Sequence, residues 1–159
     1  MYTLGYDIGS SSIKCAIFDC ERGVAVAHGS YPSEEMAIQS PRPGWAEQDP
    51  DLWWSYVVAG TKKLLDDKSI DAARIAAIGI SYQMHGLVLV DKDRKVLRPS
   101  IIWCDSRAVE MGNGAFAALG NEFCLQHLLN SPGNFTASKL RWVKMNEPDV
   151  YKKIHKAML

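Results

Sequence analysis

Between Tyr6 and Asp19 the chain reads YDIGSSSIKCAIFD. Two apolar runs are interrupted by a carboxylate (Asp7), a glycine (Gly9), three serines (Ser10, Ser11, Ser12) and a cation (Lys14). Small residues let a backbone approach another group closely. Successive turn N–H groups make an anion-binding concavity, and serine hydroxyls add donors to it. Lys14 adds positive charge after the turn. Asp7 offers the oxygen donor that a hydrated divalent cation prefers. Together these residue types describe a cradle for phosphate and its metal. A GxxxxGK[ST] loop followed by a helix is absent, so the cradle is not a P-loop. The alternative is a plain surface hairpin with a small-residue turn.

The elements that must position this turn can be read from pattern. Residues 2–7 and 13–19 read as strands, and Gly23 to Tyr31 as a third, joined by connections short enough for an antiparallel meander. Residues 32–48 hold three prolines and read as a long loop. Asp49-Pro50 is a helix start, and Trp53, Val57, Thr61 and Leu64 continue at helical spacing to about Asp67. ARIAAIGIS, from Ala73 to Ser81, is a continuous apolar run that suits a buried, parallel strand. LVLVD and KVLRP flank DKDR as a hairpin, and SIIWC is a further short strand. Helical patterns follow over 106–119 and 121–130. Thr136 is placed to cap a helix carrying Leu140 and Val143, which Pro148 ends. HKAML reads as the entry to a new strand. A meander followed by helix–strand alternation implies a mixed sheet with helices on both faces.

The bulk numbers narrow the function classes. A chain of 159 residues fits one domain and can bury about 70% of its unfolded surface. Hydrophobic residues make up 47% and charged residues 23%, the composition of an ordered globular chain. Lys+Arg and Asp+Glu are both 18, and no basic arm or stripe points to nucleic acid or an anionic membrane. No apolar run is long enough to span a bilayer. Met1 leads straight into a strand-like pattern, and Cys15, Cys20, Cys104 and Cys124 form no CxxC pair or zinc spacing. Reduced thiols and a cytoplasmic location are the expectation.

Five stretches in order carry a resemblance. DIGSSSIK (Asp7 to Lys14) resembles the first phosphate motif of the actin-like ATPase superfamily, and especially of the FGGY sugar kinases. PGWAEQDPDLWW (Pro43 to Trp54) resembles the segment leading into that family's first helix. SYQMHGLVLVD (Ser81 to Asp91) is similar to the sugar-site motif of its xylulokinase members. IIWCDSRA (Ile101 to Ala108) is similar to the next sugar-site strand, and NFTASKLRWVKMNEPDVY (Asn134 to Tyr151) to the helix that follows.

The resemblance implies a ribonuclease-H-like α/β domain, one of two flanking a catalytic cleft. It implies phosphoryl transfer from ATP, with Mg2+, to a small-molecule sugar, most specifically D-xylulose. Gly9, Ser10, Ser11, Ser12 and Lys14 then hold ATP phosphates, and Asp7 holds Mg2+ through water. Gln83, Met84, His85, Trp103 and Asp105 then line the sugar site: Met84 through its backbone, His85 through its imidazole, Asp105 held by Arg107. Trp103 is either an apolar wall for the sugar or core, and Asp105 either a sugar ligand or a surface helix cap. Trp45, Trp53, Trp54 and Trp142 are assigned to packing. Other FGGY substrates (ribulose, gluconate, glycerol) and an actin-like assembly protein are the competing readings.

Two departures are local: Ser10 stands where the family usually has threonine, and Tyr82 where a small residue is common. The larger one is length. Family members are far longer, and their catalytic aspartate base, second phosphate motif and adenosine pocket are expected beyond residue 159. The chain therefore reads as the N-terminal portion of the first kinase domain. It is expected to be inactive alone, with an exposed sheet edge. Self-association, including a homodimer, or partial disorder near residue 159 is the further expectation.

Overall fold

The computed structural model describes residues 1–159. The chain divides into two compact units: Met1–Ala37 with Asp51–Gln83, and Ile38–Pro50 with Met84–Leu159.

The first unit is built on a four-stranded mixed sheet. Strands β1 (Tyr2–Ile8), β2 (Ile13–Asp19) and β3 (Val24–Tyr31) form the expected antiparallel meander. After β4 (Glu47–Gln48) and the helix α1 (Pro50–Asp67), strand β5 (Ile75–Tyr82) returns parallel to β1. The spatial order is β3-β2-β1-β5. In β2 the alternation is plain: Ile13, Cys15 and Ile17 are buried, while Lys14 and Phe18 are exposed. Leu4, Cys15, Ile17 and Ala27 pack with Leu64, and Ile13 packs with Met36 and Val57, so α1 covers one face of the sheet. Gly60 permits the close approach, because a Cβ there would lie 2.6 Å from the Tyr31 ring. Thr61 donates to the Val57 carbonyl, which leaves its oxygen to accept from the Tyr6 hydroxyl across the helix–sheet contact.

Three expectations for this unit are corrected. β5 is parallel, as its apolar run suggested, but it is an edge strand with β1 as its one neighbour. Ile78 and Ile80 are each 61% exposed, and Tyr82 51%, so the strand is not buried. Trp54 is not packed either: it is 68% exposed and lines an open apolar groove with Val58, Ile78 and Ile80. Within this unit helix α1 lies on one face of the sheet, not on both. The opposite face carries Gly5, Asp7, Lys14, Ala16, His28 and Ser30 around an open hollow of about 460 Å³.

The second unit joins short strands to small helices. β6 (Val88–Val90) begins the expected hairpin, in which the Asp91 amide donates to the Lys95 carbonyl and the Asp91 carboxylate accepts from the Asp93 and Lys95 amides. β7 (Ser100–Ile101) pairs antiparallel with β4, so the long loop is less irregular than its prolines suggested. Helices α2 (Val109–Leu119), α3 (Asn121–Leu128), α4 (Thr136–Asn146) and α5 (Pro148–Tyr151) follow. The last residues form β8 (Lys156–Met158), paired with β6, rather than a disordered end. Leu87, Leu89, Ile101 and Val143 make the core, ringed by Leu97, Leu140, Trp142 and Ile154. α2 rests on the 132–134 turn so closely that a Cβ on Gly112 would meet the Gly133 Cα at 2.3 Å. No helix is long and apolar enough to cross a membrane.

Candidate functional site

The candidate phosphate hairpin lies in the first unit at the β1–β2 turn. Gly9 donates to the Ser12 carbonyl at 3.1 Å, closing the turn, and the Ser11 carbonyl accepts from Met36 at 2.8 Å, tying it to the following loop. A Cβ on Gly9 would come within 3.2 Å of the Ser12 oxygen, so the glycine keeps the turn tight. Asp7 and Lys14 are cross-strand partners, and their side chains meet at 3.3 Å. Both are at least half exposed, so the pair contributes little to stability and remains available to a ligand. Asp7 is a single carboxylate, with no group of three metal-ligating side chains around it. That donor set does not hold a metal by itself. It suits a magnesium ion that keeps most of its waters and shares phosphate oxygens.

Gln83 ends the first unit. Its amide nitrogen donates to the Ile8 carbonyl at 3.0 Å, continuing the β1–β5 ladder. Its side-chain Oε1 and Nε2 are buried without a hydrogen-bond partner. A buried amide with both ends unmet requires an explanation, because nearly all such groups are paired.

The rest of the QMHG stretch lies in the second unit. Met84 is 66% exposed and Trp103 49%, so neither is core. His85 adopts a left-handed backbone, φ 60°. For a residue with a Cβ that geometry costs about 1–2 kcal/mol and must be held by its surroundings. The holding groups come from the start of α4. Lys139 Nζ donates to the His85 carbonyl at 2.5 Å and to the Asn134 carbonyl at 3.3 Å. Thr136 Oγ1 donates to the Gly86 carbonyl at 3.0 Å, and Asn134 Nδ2 donates to the Trp103 carbonyl. The Phe135 ring stacks on the His85 imidazole, centroids 4.7 Å apart and planes within 14°. Burial pushes the imidazole below its ordinary pKa, and the Lys139 charge acts in the same direction. A neutral imidazole can donate at one nitrogen and accept at the other, which suits a sugar hydroxyl. Lys139 is itself fully buried, and burial lowers its pKa to about 8, partly opposed by the Asp105 charge.

Thr136 is thus not the expected helix cap. Phe135 occupies the cap position, and the Thr136 hydroxyl is spent on the Gly86 loop.

Asp105 is placed differently from both sequence expectations. It is 0% exposed, so it is neither at the surface nor open to a ligand. Its oxygens accept from the Ala46 amide at 2.6 Å, from the Arg107 amide at 2.9 Å, and from Arg107 Nε and Nη2 at 2.7–3.0 Å. Arg107 also meets Glu47 at 2.7 Å, and its guanidinium lies 3.8 Å from the Trp45 ring centroid and 5.1 Å from that of Trp142. Arg98 completes the network by pairing with Glu47 and, at 3.3 Å, with Glu147. The sugar-ligand expectation for Asp105 gives way to a buried ion network that fixes the 103–107 turn. Arg107 holds Asp105, as expected, but away from any opening.

Sequence reasoning missed Lys139, Thr136 and Asn134 as supports of the site. A signal was present: Lys139 stands four residues before Val143, on the buried stripe of α4, where an apolar residue belongs.

The fold is that of an α/β protein of the actin-like ATPase class, with a candidate phosphate hairpin on β1–β2 and a clamped histidine turn. The model of the FGGY family of carbohydrate kinases, N-terminal domain, matches residues 2–159. The chain belongs to this family. It is 36% identical over 156 residues to a xylulose kinase of Escherichia coli (strain K12), covering 98% of this chain and 31% of the relative. A xylulose kinase from Rhodospirillum rubrum superposes with a TM-score of 0.86 at 29% identity, covering 99% of this chain and 32% of that one. Other substrates are represented too. A gluconate kinase from Lactobacillus acidophilus gives a TM-score of 0.81 at 29% identity, covering 99% and 31%. A glycerol kinase of Thermococcus gammatolerans is 31% identical over 155 residues, covering 98% and 31%. The chain spans about a third of the length of these relatives.

Proposed function

We propose that this chain is the N-terminal portion of the first domain of an ATP-dependent ketose kinase that converts D-xylulose to D-xylulose 5-phosphate. The observation that carries the sugar assignment is the QMHG turn. It presents an exposed Met84 and a neutral His85 held at φ 60° by Lys139 and Phe135. A sugar hydroxyl can donate to or accept from the imidazole. Trp103, half exposed, supplies an apolar surface for sugar C–H groups.

In the reaction a sugar hydroxyl oxygen attacks the γ-phosphorus, the bond to the β-phosphate oxygen breaks, and ADP departs. Such transfer depends mainly on positioning and on charge neutralisation. The Gly9–Ser12 turn and Lys14 hold phosphate oxygens. Asp7 would hold Mg2+ through water, and the ion would supply positive charge to the phosphates. The hydroxyl proton needs an acceptor within hydrogen-bond reach. Asp7 is the carboxylate beside the hairpin, and its proposed role is to hold the metal. The 159 residues alone are therefore proposed not to turn over.

Nuclear magnetic resonance of the labelled chain tests the sugar assignment. D-xylulose is expected to shift His85, Gly86 and the Trp103 indole, while glycerol and gluconate leave them in place. Equal response to glycerol or gluconate would transfer the assignment to another member of the family.

A further inference from the structure

We propose that Lys139 is a positioning residue for ketose recognition, locking the His85–Gly86 turn through its main chain; the sugar part of this rests on the function proposed above. Three polar side chains from six consecutive residues, Asn134, Thr136 and Lys139, each donate to a carbonyl of a candidate sugar loop: Trp103, Gly86 and His85 in turn. Between them Phe135 stacks on the His85 ring. The segment is a clamp on two loops as well as the start of a helix. Lys139 is the costly member. Its side chain is fully buried, and its hydrogen bonds go to main-chain carbonyls rather than to a carboxylate. A buried ammonium is a poor choice for filling space, since an apolar side chain of the same length avoids the desolvation. What it offers is a charge-assisted bond to the carbonyl of a residue in a left-handed conformation. Lys139 is screened from any ligand, so it acts through His85.

The charged and titratable groups that bear on Lys139 are Asp105 and Cys104, which favour its protonated form, and Arg107, which opposes it. Lys139 in turn opposes protonation of His85.

The test follows the His85 imidazole by long-range proton–nitrogen correlation across pH in the full 159-residue chain, with no sugar present. Lys139→Met keeps the length and removes charge and donors. Its expected effects are an upward shift of the His85 titration midpoint and loss of the ring-current shift from Phe135. Lys139→Arg, which restores both charge and donors, is expected to recover the wild-type midpoint at least in part. Unchanged His85 midpoint and ring shifts in a folded Lys139→Met chain would overturn the proposal. If Lys139→Met leaves the second unit unfolded, Thr136→Val reads the same clamp. It is expected to move Gly86 and His85 resonances together, and no movement there would overturn the proposal equally. A wild-type chain whose His85 ignores D-xylulose, while the Lys139→Met effect stands, would count against the ketose reading and leave the clamp intact.

Discussion

Replacing Asp105 with asparagine keeps the shape of the side chain and removes its charge. In the wild-type chain one oxygen accepts from the Arg107 amide and Nε, and the other from the Ala46 amide, Arg107 Nε and Nη2. An asparagine must turn its NH2 toward one of those sets, so at least one backbone amide loses its acceptor and faces another donor, while Arg107 Nε keeps one of its two oxygens. Arg107 stays charged and fully buried. Breaking a buried ion pair by removing one partner costs about 3–5 kcal/mol. The remaining contacts of Arg107, to Glu47 at 2.7 Å and to the Trp45 ring at 3.8 Å, keep the loss from rising further. For a chain of this size, that corresponds to a fall in melting temperature of roughly 6–20 °C. Thermal unfolding followed by near-ultraviolet circular dichroism reads it directly, because Trp45 and Trp142 pack on Arg107. A loss below about 1 kcal/mol, the range of an exposed pair, would refute the view that this network fixes the 103–107 turn.

Asp7→Asn supplies the contrast: its partner Lys14 is 67% exposed, so stability is expected to change by less than about 1 kcal/mol in urea titration, while affinity for MgATP falls. Gly112→Ala adds a methyl group facing the Gly133 Cα at 2.3 Å and the Pro132 oxygen at 2.4 Å. The helix-propensity gain of about 1 kcal/mol is expected to be outweighed by overpacking of about 1–3 kcal/mol or more, lowering the melting temperature. Lys139 gives a pH signature. Its folded pKa, about 8, lies below the ordinary lysine value of 10.5, so the unfolded chain binds more protons across that window and the Lys139 contribution to stability rises with pH. The stability of the wild-type chain relative to Lys139→Met is therefore expected to increase from pH 7 to pH 10, and a flat difference would contradict the buried-ammonium assignment. Cys15 and Tyr31, both pushed up by burial, act in the opposite sense in both chains and cancel in that difference.

The meander, α1, the hairpin at 91–95 and the final strand were legible because each is governed by local pattern: alternation in β2, helical spacing from Trp53 to Leu64, turn chemistry at Asp91. The exposure of β5 was not, since AAIGI has the composition of a covered strand and composition does not say what covers it. The candidate site divided in the same way. Asp7, the Gly9–Ser12 turn and the QMHG residues announce themselves by type and order. The role of Asp105 depended on Ala46, Glu47 and Arg107, brought together by β4–β7 pairing across more than fifty residues of sequence. The clamp from Asn134 to Lys139 reaches back to His85 in the same way, and no local rule links the two.

The proposed ketose-specific site is tested most directly by catalysis in a complete kinase. The chain aligns over 156 residues with 31% of the Escherichia coli xylulose kinase, so it can be exchanged for the aligned segment of that enzyme. ADP release from MgATP is then measured with D-xylulose, D-ribulose, gluconate or glycerol. The account predicts release that depends on D-xylulose and is lost on His85→Ala. A folded chimera that prefers glycerol or gluconate, or that is indifferent to His85, would contradict it.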